Sequence, residues 1–472
     1  VVDWVLRHHA TLPEQPVGRS GTRAEMEALL RESPPEMGQD FARVLAEFDQ
    51  KVAGRALRTN HPRYLAFIPG APTFPSVLGE WLCAGSNFFE AVWQAASGPS
   101  QVEVIVLDWF KDFLGCPPEA GGLLTGGGSE ANLTALVAAR EQLSHADRSR
   151  AVLYLTEQRH WSVDRAARIL GLRPDQLRPV PADADFRMQT APLADAVAKD
   201  RAAGMLPWVV VANAGATNTG TVDPLTALAD LCRDQMLWLH TDAAYGWAAV
   251  LTQEGKTALD GIGRADSITL DPHKWFGQTF DAGCVLVRDG RLLARAFSLR
   301  PEYMQDVEPS DDEINFADYG LALTRRFRAL KIWLSIKVLG LGWFRLLIEH
   351  GCRLADYAQA LLEASPVFEI LSPRQLSIVC FRYVPARFDR IGVRSVSEAG
   401  ASLASASGLD ESLDRINLAL VEALRATGRA YVSSTRLRGR VALRFCFVNW
   451  RTTAGDVEEI VRLLAALGKS LV

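Results

Sequence analysis

From about residue 73 to 340 the chain alternates short apolar runs with longer segments of helical character. The runs are 151–155 (AVLYL), 208–212 (WVVVA), 237–240 (LWLH), 267–270 (SITL) and 284–287 (CVLV). Runs this short, with no polar face, predict strands buried on both sides in a mostly parallel sheet covered by helices. The segment 224–233 joins two of them at the length of a βαβ crossover. Residues 1–72 read differently. Helical stretches such as 40–57 are broken by proline and glycine, and they end in the extended, proline-punctuated 61–70 (HPRYLAFIPG). From 341 onward helices (343–362, 412–426, 455–467) alternate with strand-like 376–383 and 441–448, which predicts a smaller α+β domain. The expected organisation is an N-terminal helical segment over 1–72, a large domain over 73–340 and a small C-terminal domain over 341–472.

Composition narrows the function classes. With 472 residues, 48% hydrophobic and 22% charged, the chain is that of a globular protein of more than one domain. A formal charge of −4, with no long basic run, argues against nucleic-acid binding. No apolar stretch reaches bilayer-spanning length, and 1–4 (VVDW) does not read as a signal peptide. The seven cysteines are scattered and lack C-x-x-C spacing, so reduced thiols in the cytoplasm and no metal site are expected.

The chemistry gathers where the apolar runs end. Lys274 follows the run 267–270 in Asp271-Pro272-His273-Lys274-Trp275, and Asp242 follows the run 237–240. Alone, such residues are usually a solvated charge and a turn former. Together they suit the two ends of pyridoxal phosphate (PLP). A lysine amine bonds to the aldehyde, and an aspartate keeps the pyridine nitrogen protonated so that the ring accepts electrons. A third element is Gly126-Gly127-Gly128-Ser129 before a helix carrying Leu133, Leu136 and Val137 on one face. Glycines admit a phosphate close to the backbone, the helix start supplies free N–H groups, and Ser129 adds a hydroxyl. No lysine follows the glycines, so this is not a nucleotide P-loop. His160, past the run 151–155, can stack on the ring, Ala244 leaves room for a flat ring, and Thr217 can donate to ring substituents. Ligands of open α/β sheets bind at the carboxyl ends of strands, where all of these residues fall.

With these motifs the chain resembles the group II PLP-dependent decarboxylases of the aromatic L-amino acid decarboxylase family. The likeness runs from about His61 nearly to the end. It is carried by His61-Pro62, Trp93, Gly127-Gly128-Ser129, His160, Asp223, His240-x-Asp242-Ala243-Ala244, Pro272-His273-Lys274 and Arg325 to Lys331. The resemblance implies a PLP-dependent transferase fold of the aspartate-aminotransferase type. It also implies a homodimer whose sites lie at the interface, with the N-terminal segment packed over the partner. Gly127, Gly128, Ser129, His160, Thr217, Asp242, Ala244, Asp271, His273 and Lys274 are then cofactor-binding. Lys274, His160 and Asp242 are catalytic, with Tyr303, which occupies the position of a catalytic tyrosine on a mobile loop.

Four positions depart from the family pattern. Asp271 stands where many relatives have Asn, and Trp161 where a small residue is usual. Gly70 replaces a substrate-contacting threonine, and Thr324 stands where Gly or Ser meets the substrate ring. Phe67, Gly70, Trp93, His160 and Thr324 are the expected substrate-binding residues, with Ile68 and Pro69 completing an apolar pocket. The reading is α-decarboxylation of an L-amino acid, most readily an aromatic one, giving the amine and carbon dioxide. The alternatives are an oxygen-dependent aromatic aldehyde synthase, a decarboxylase of a non-aromatic amino acid, and a non-catalytic relative acting as a binding partner. Intact Lys274, Asp242, His160 and Tyr303 argue against the last.

Overall fold

Seven strands form the main sheet of the computed structural model, which describes residues 1–299, 310, 313–386 and 403–472. They are β1 (Gly121–Thr125), β2 (Ala151–Leu155), β3 (Leu177–Pro179), β4 (Leu206–Asn213), β5 (Trp238–Asp242), β6 (Ser267–Leu270) and β7 (Gly283–Val287). Their order is β1-β7-β6-β5-β4-β2-β3. Neighbours from β3 to β6 pair in parallel, whereas β7 runs antiparallel to both β6 and β1. Two reversals restore direction, so β1 points the same way as β6. The carboxyl ends of β1, β2, β4, β5 and β6 therefore share one edge of the sheet.

All five apolar runs of the sequence are strands, and β2, β5, β6 and β7 are buried at every position. The pattern missed β1, whose glycines hide it, and β3, only three residues long with an Arg-Pro end.

The chain divides into two compact units. The larger holds Ile68–Arg353 with Arg374–Ile378, and the smaller holds Val1–Phe67, Leu354–Pro373 and Val379–Val472. In the larger unit an aromatic cluster sits behind the strand ends. Phe276 stacks on Phe344 with centroids 4.0 Å apart, and Trp247 lies between Phe276 and Phe110 at 5.0 and 4.9 Å. Each such pair adds roughly 0.5–1.5 kcal/mol beyond its buried area. Because Trp275 and Phe276 are fully buried, the residue before them is held firmly.

A four-stranded sheet is formed by β8 (Phe368–Gln375), β9 (Ile378–Tyr383), β10 (Ser433–Leu437) and β11 (Arg440–Cys446), in the order β10-β11-β9-β8, and all of it but residues 374, 375 and 378 belongs to the smaller unit. Its core includes Phe368, Phe381, Phe445 and Phe447 together with Leu65 from the extended N-terminal stretch. That stretch is tied in through the Leu65 N–H to the Tyr431 carbonyl and the Cys446 N–H to the Leu65 carbonyl. The helix read over 40–57 is α-helical only for Phe41–Glu47, and it continues through a wider turn at Phe48–Val52 and a tight one at Ala53–Arg55. The helices Val2–Thr11, Arg23–Leu30 and Phe41–Glu47 bury no residue within the chain. The 35-residue helix Ala329–Glu363 breaks direction at Gly340, where φ is 73°. Among the described residues no helix is long and apolar enough to cross a membrane.

Candidate active site

The shared strand edge opens into a cavity of about 520 Å³. Its lining contains Gly127, Gly128, Ser129, His160, Thr217, Asp242, Ala244, Asp271, His273 and Lys274, so the structure brings all ten expected cofactor residues together. Asn132, Ser162, Asn213 and Tyr245 join them without having been singled out from the sequence.

At one end of the cavity lies the start of the helix Gly128–Arg140, which leaves β1 through Gly126 and Gly127. The N–H groups of Glu130 and Ala131 bond to the Gly127 carbonyl, and Glu130 Oε2 takes the Gly126 N–H at 2.7 Å. The first amides of the helix turn, at Gly128 and Ser129, have no carbonyl within it and face outward with the positive end of the helix dipole. This is an anion site in shape and charge. Gly127 has φ 153°, a conformation that side chains rarely adopt, and a Cβ on Gly128 would sit 2.8 Å from Asp271 Oδ2 and displace that carboxylate. The turn is anchored from behind. Glu103 accepts the Leu124 N–H at 2.8 Å, Arg325 donates to the Leu124 carbonyl at 3.0 Å, and the two pair with each other in full burial.

Asp242, at the end of β5, is buried. Its Oδ2 accepts from the Asn132 amide at 3.0 Å and its Oδ1 from the Ala244 N–H at 3.2 Å. Two neutral donors hold the carboxylate in place without neutralising it. Asp223, one of the family positions, lies one strand away and is structural. Its carboxylate takes the backbone N–H groups of Asn213 (2.6 Å) and Met188 (2.7 Å), and burial raises its pKa to about 6.

Lys274 and Asp271 close the remaining side. Lys274 Nζ lies 3.0 Å from Asp271 Oδ2, and His273 Nε2 lies 3.7 Å from the same oxygen. Asp271 Oδ1 is buried and has no hydrogen-bond partner among the described residues. Burial holds the His273 imidazole below its usual pKa. Asp271 thus faces the anion site as well as the lysine, and a carboxylate there would repel a phosphate. A Cβ on Gly70 would fall 1.7 Å from the Lys274 carbonyl oxygen. Glycine at 70 is therefore needed for the backbone to pass behind the lysine, and this accounts for the missing threonine.

His160 caps the helix Trp161–Ile169: its Nδ1 receives the Ser162 N–H at 3.3 Å and lies 2.7 Å from Ser162 Oγ. Burial lowers its pKa, so the ring is neutral at pH 7. Trp161 points away, 57% exposed, with the Arg165 guanidinium 4.0 Å above its ring.

The remaining expected substrate residues do not line the cavity. Trp93 begins the helix Trp93–Leu114, with its N–H bonded to Asn315 Oδ1 at 2.8 Å, and Thr324 is exposed. Phe67 belongs to the smaller unit and has the left-handed φ of 55°. Tyr303 lies outside the described residues. Asn132 and Ser162 carried a faint signal: a polar residue beside the apolar face of a helix, and a serine two residues past a strand-exit histidine.

An anion site, a buried carboxylate and a lysine around one cavity match what PLP requires at its phosphate, ring nitrogen and aldehyde. Comparisons with known proteins agree. The model of the pyridoxal-dependent decarboxylase conserved domain matches residues 24–384. The aromatic-L-amino-acid decarboxylase of Bacillus atrophaeus is 40% identical over 471 residues, covering 100% of this chain and 94% of that one. A phenylacetaldehyde synthase of Arabidopsis thaliana is 29% identical over 98% of this chain and 93% of its own. The crystal structure of Oryza sativa TDC with PLP and tryptamine superposes with a TM-score of 0.90 at 29% identity, covering 100% of this chain and 96% of that one. The chain belongs to the pyridoxal-dependent decarboxylase family and is a PLP-dependent amino acid decarboxylase.

Proposed function

We propose that the chain converts an aromatic L-amino acid to the corresponding amine and carbon dioxide. The observation that carries this reading is the 40% identity, over essentially the whole of both chains, to an aromatic-L-amino-acid decarboxylase.

The residues divide the work by position. The amides at Gly128 and Ser129 hold the phosphate, and Lys274 supplies the amine for covalent attachment. Bound PLP supplies an electron sink for the pair left on Cα when the carboxyl group departs. Asp242 would keep a proton on the ring nitrogen of bound PLP. His160 would pack against the ring and orient the substrate carboxylate, Ala244 would leave room for the ring, and Thr217 would donate to its substituents. Tyr303 delivers the proton to Cα, and a phenol in that role outcompetes oxygen for the same carbon. Trp93, Gly70, Phe67 and Thr324 remain family-based assignments for the substrate side chain.

Carbon dioxide, amine and peroxide measured together over a panel of L-amino acids test this. Aromatic substrates should give amine equal to carbon dioxide with little peroxide. Tyr303→Phe should shift products towards aldehyde, ammonia and peroxide while PLP stays bound. Peroxide stoichiometric with carbon dioxide from the wild type would make it an aldehyde synthase, and preference for an acidic or aliphatic substrate would reject the aromatic assignment.

We further propose a homodimer in the cytoplasm. The N-terminal helices expose Val1, Val2, Leu6, Phe41, Val44, Phe48 and Val52, apolar surface suited to burial against a second copy. None of the seven cysteines forms a disulfide, which suits a reducing compartment. Sedimentation should give twice the 51.7 kDa chain mass, and an active monomer would refute the dimer.

A further inference from the structure

A chain of buried hydrogen bonds runs from the middle of the sheet to the edge of His160, and its donors and acceptors can be assigned from chemistry. The Trp238 indole N–H, 2.8 Å from Ser267 Oγ, can only donate. Ser267 Oγ also lies 2.8 Å from His240 Nδ1, and His240 Nε2 lies 3.0 Å from Asn132 Oδ1. The same Asn132 places its amide nitrogen 3.0 Å from Asp242 Oδ2 and 2.9 Å from Ser162 Oγ. Asn132, Ser162, His240 and Ser267 are each no more than 1% exposed, so they are buried from bulk solvent.

Asp242, as the carboxylate, only accepts, so the amide nitrogen of Asn132 must face it and the amide oxygen must face His240. His240 then needs its hydrogen on Nε2. Burial lowers its pKa to about 4, so the ring is neutral and Nδ1 is bare. The Ser267 hydroxyl, already accepting from Trp238, donates to that nitrogen. The two ends of the chain give the same direction. Beyond Asn132, Ser162 Oγ accepts the second amide hydrogen and turns its own hydrogen to His160 Nδ1, 2.7 Å away. The backbone N–H of Ser162, which cannot accept, points at the same nitrogen.

We propose that Ser162 and Asn132 are positioning residues that fix His160 as the neutral tautomer with its hydrogen on Nε2. The ring edge turned away from Ser162 then always presents a donor, which attracts a carboxylate, where a lone pair would repel one. The same chain anchors Asp242 through Asn132, so the group serving the ring nitrogen and the group serving the substrate carboxylate share one support. The use of the donor rests on the decarboxylase reading, whereas the tautomer is a property of the chain alone.

Ring-¹⁵N-histidine labelling of the holoenzyme tests this, with His160→Gln used only to assign the His160 signal by its absence. In the wild type at pH 7.5, His160 and His240 should both show a bare Nδ1 and a protonated Nε2. In Ser162→Ala the His160 Nδ1 resonance should shift towards that of an imine nitrogen without a hydrogen bond, and Ser162→Thr should restore it. A protonated Nδ1 or an imidazolium at His160 in the wild type would overturn the proposal with no variant needed. An unmoved Nδ1 resonance in a folded Ser162→Ala protein would do the same. If the tautomer is found but no amino acid is decarboxylated, the functional reading fails and the positioning stands.

Discussion

Lys274→Ala should end covalent attachment of PLP and lower decarboxylation by several orders of magnitude while leaving the fold intact. The fold survives because the lysine's packing is in its backbone and its neighbours. Its N–H bonds to the Asp271 carbonyl at 2.9 Å, its carbonyl accepts from Gly277 at 3.2 Å, and buried Trp275 and Phe276 follow it. Its own side chain only reaches into the cavity to Asp271. The substitution therefore removes a nucleophile and a charge but no core volume. The charge has its own consequence. Without Lys274, Asp271 loses the cation 3.0 Å away while its other oxygen is already unpartnered. Like charges about 4 Å apart at an effective dielectric of 20 repel by about 4 kcal/mol, so a bare carboxylate beside the anion site opposes the phosphate. PLP binding should thus weaken by more than the lost covalent bond explains, and Lys274→Ala/Asp271→Asn should recover non-covalent binding. Borohydride reduction followed by peptide mass spectrometry locates the attachment, and dialysis against PLP compares the single and double variants. Pyridoxyl found on a lysine other than 274 would refute the assignment.

How much of this was legible in the sequence depended on where each residue lies relative to a strand. Lys274, Asp242, His160 and the glycine turn each follow a strand's carboxyl end. All but the glycine turn follow a visible apolar run, so knowing that the sheet is parallel put them at one edge. Asn132 was harder to see, for the opposite reason. It lies inside a helix, where an asparagine reads as solvent-facing until the helix is known to pack on β5. His240 is internal to a buried strand, and only its partners at both ring nitrogens reveal that it orients its neighbours. Gly70 was noticed as a gap in a substrate pattern, yet its physical reason lies in the approach of a backbone two hundred residues further on. Broken regularity also hid the course of 40–57, where the helical turn changes after Glu47 with no proline to mark it.

Asp242→Asn should keep the fold and bind PLP more weakly, and it should decarboxylate about 10²–10³-fold more slowly even when saturated with PLP, as expected where one preorganised electrostatic partner is removed. The substitution is isosteric, so the cavity keeps its shape, and the single amide oxygen of the new side chain can accept from either Asn132 or the Ala244 N–H but not from both. What disappears is the negative charge. A protonated ring nitrogen next to a carboxylate in this buried place is favoured, and next to a neutral amide it is not. The loss falls on kcat more than on KM for the amino acid, because Asp242 acts on the ring's capacity to accept electrons while the substrate meets other groups. Raising the PLP concentration should restore occupancy without restoring rate, which separates this effect from simple cofactor loss. The measurement is kcat under saturating PLP beside a PLP titration, with the wild type run in parallel. A variant with wild-type kcat once saturated would show that Asp242 only helps to hold the cofactor and would remove it from the chemistry.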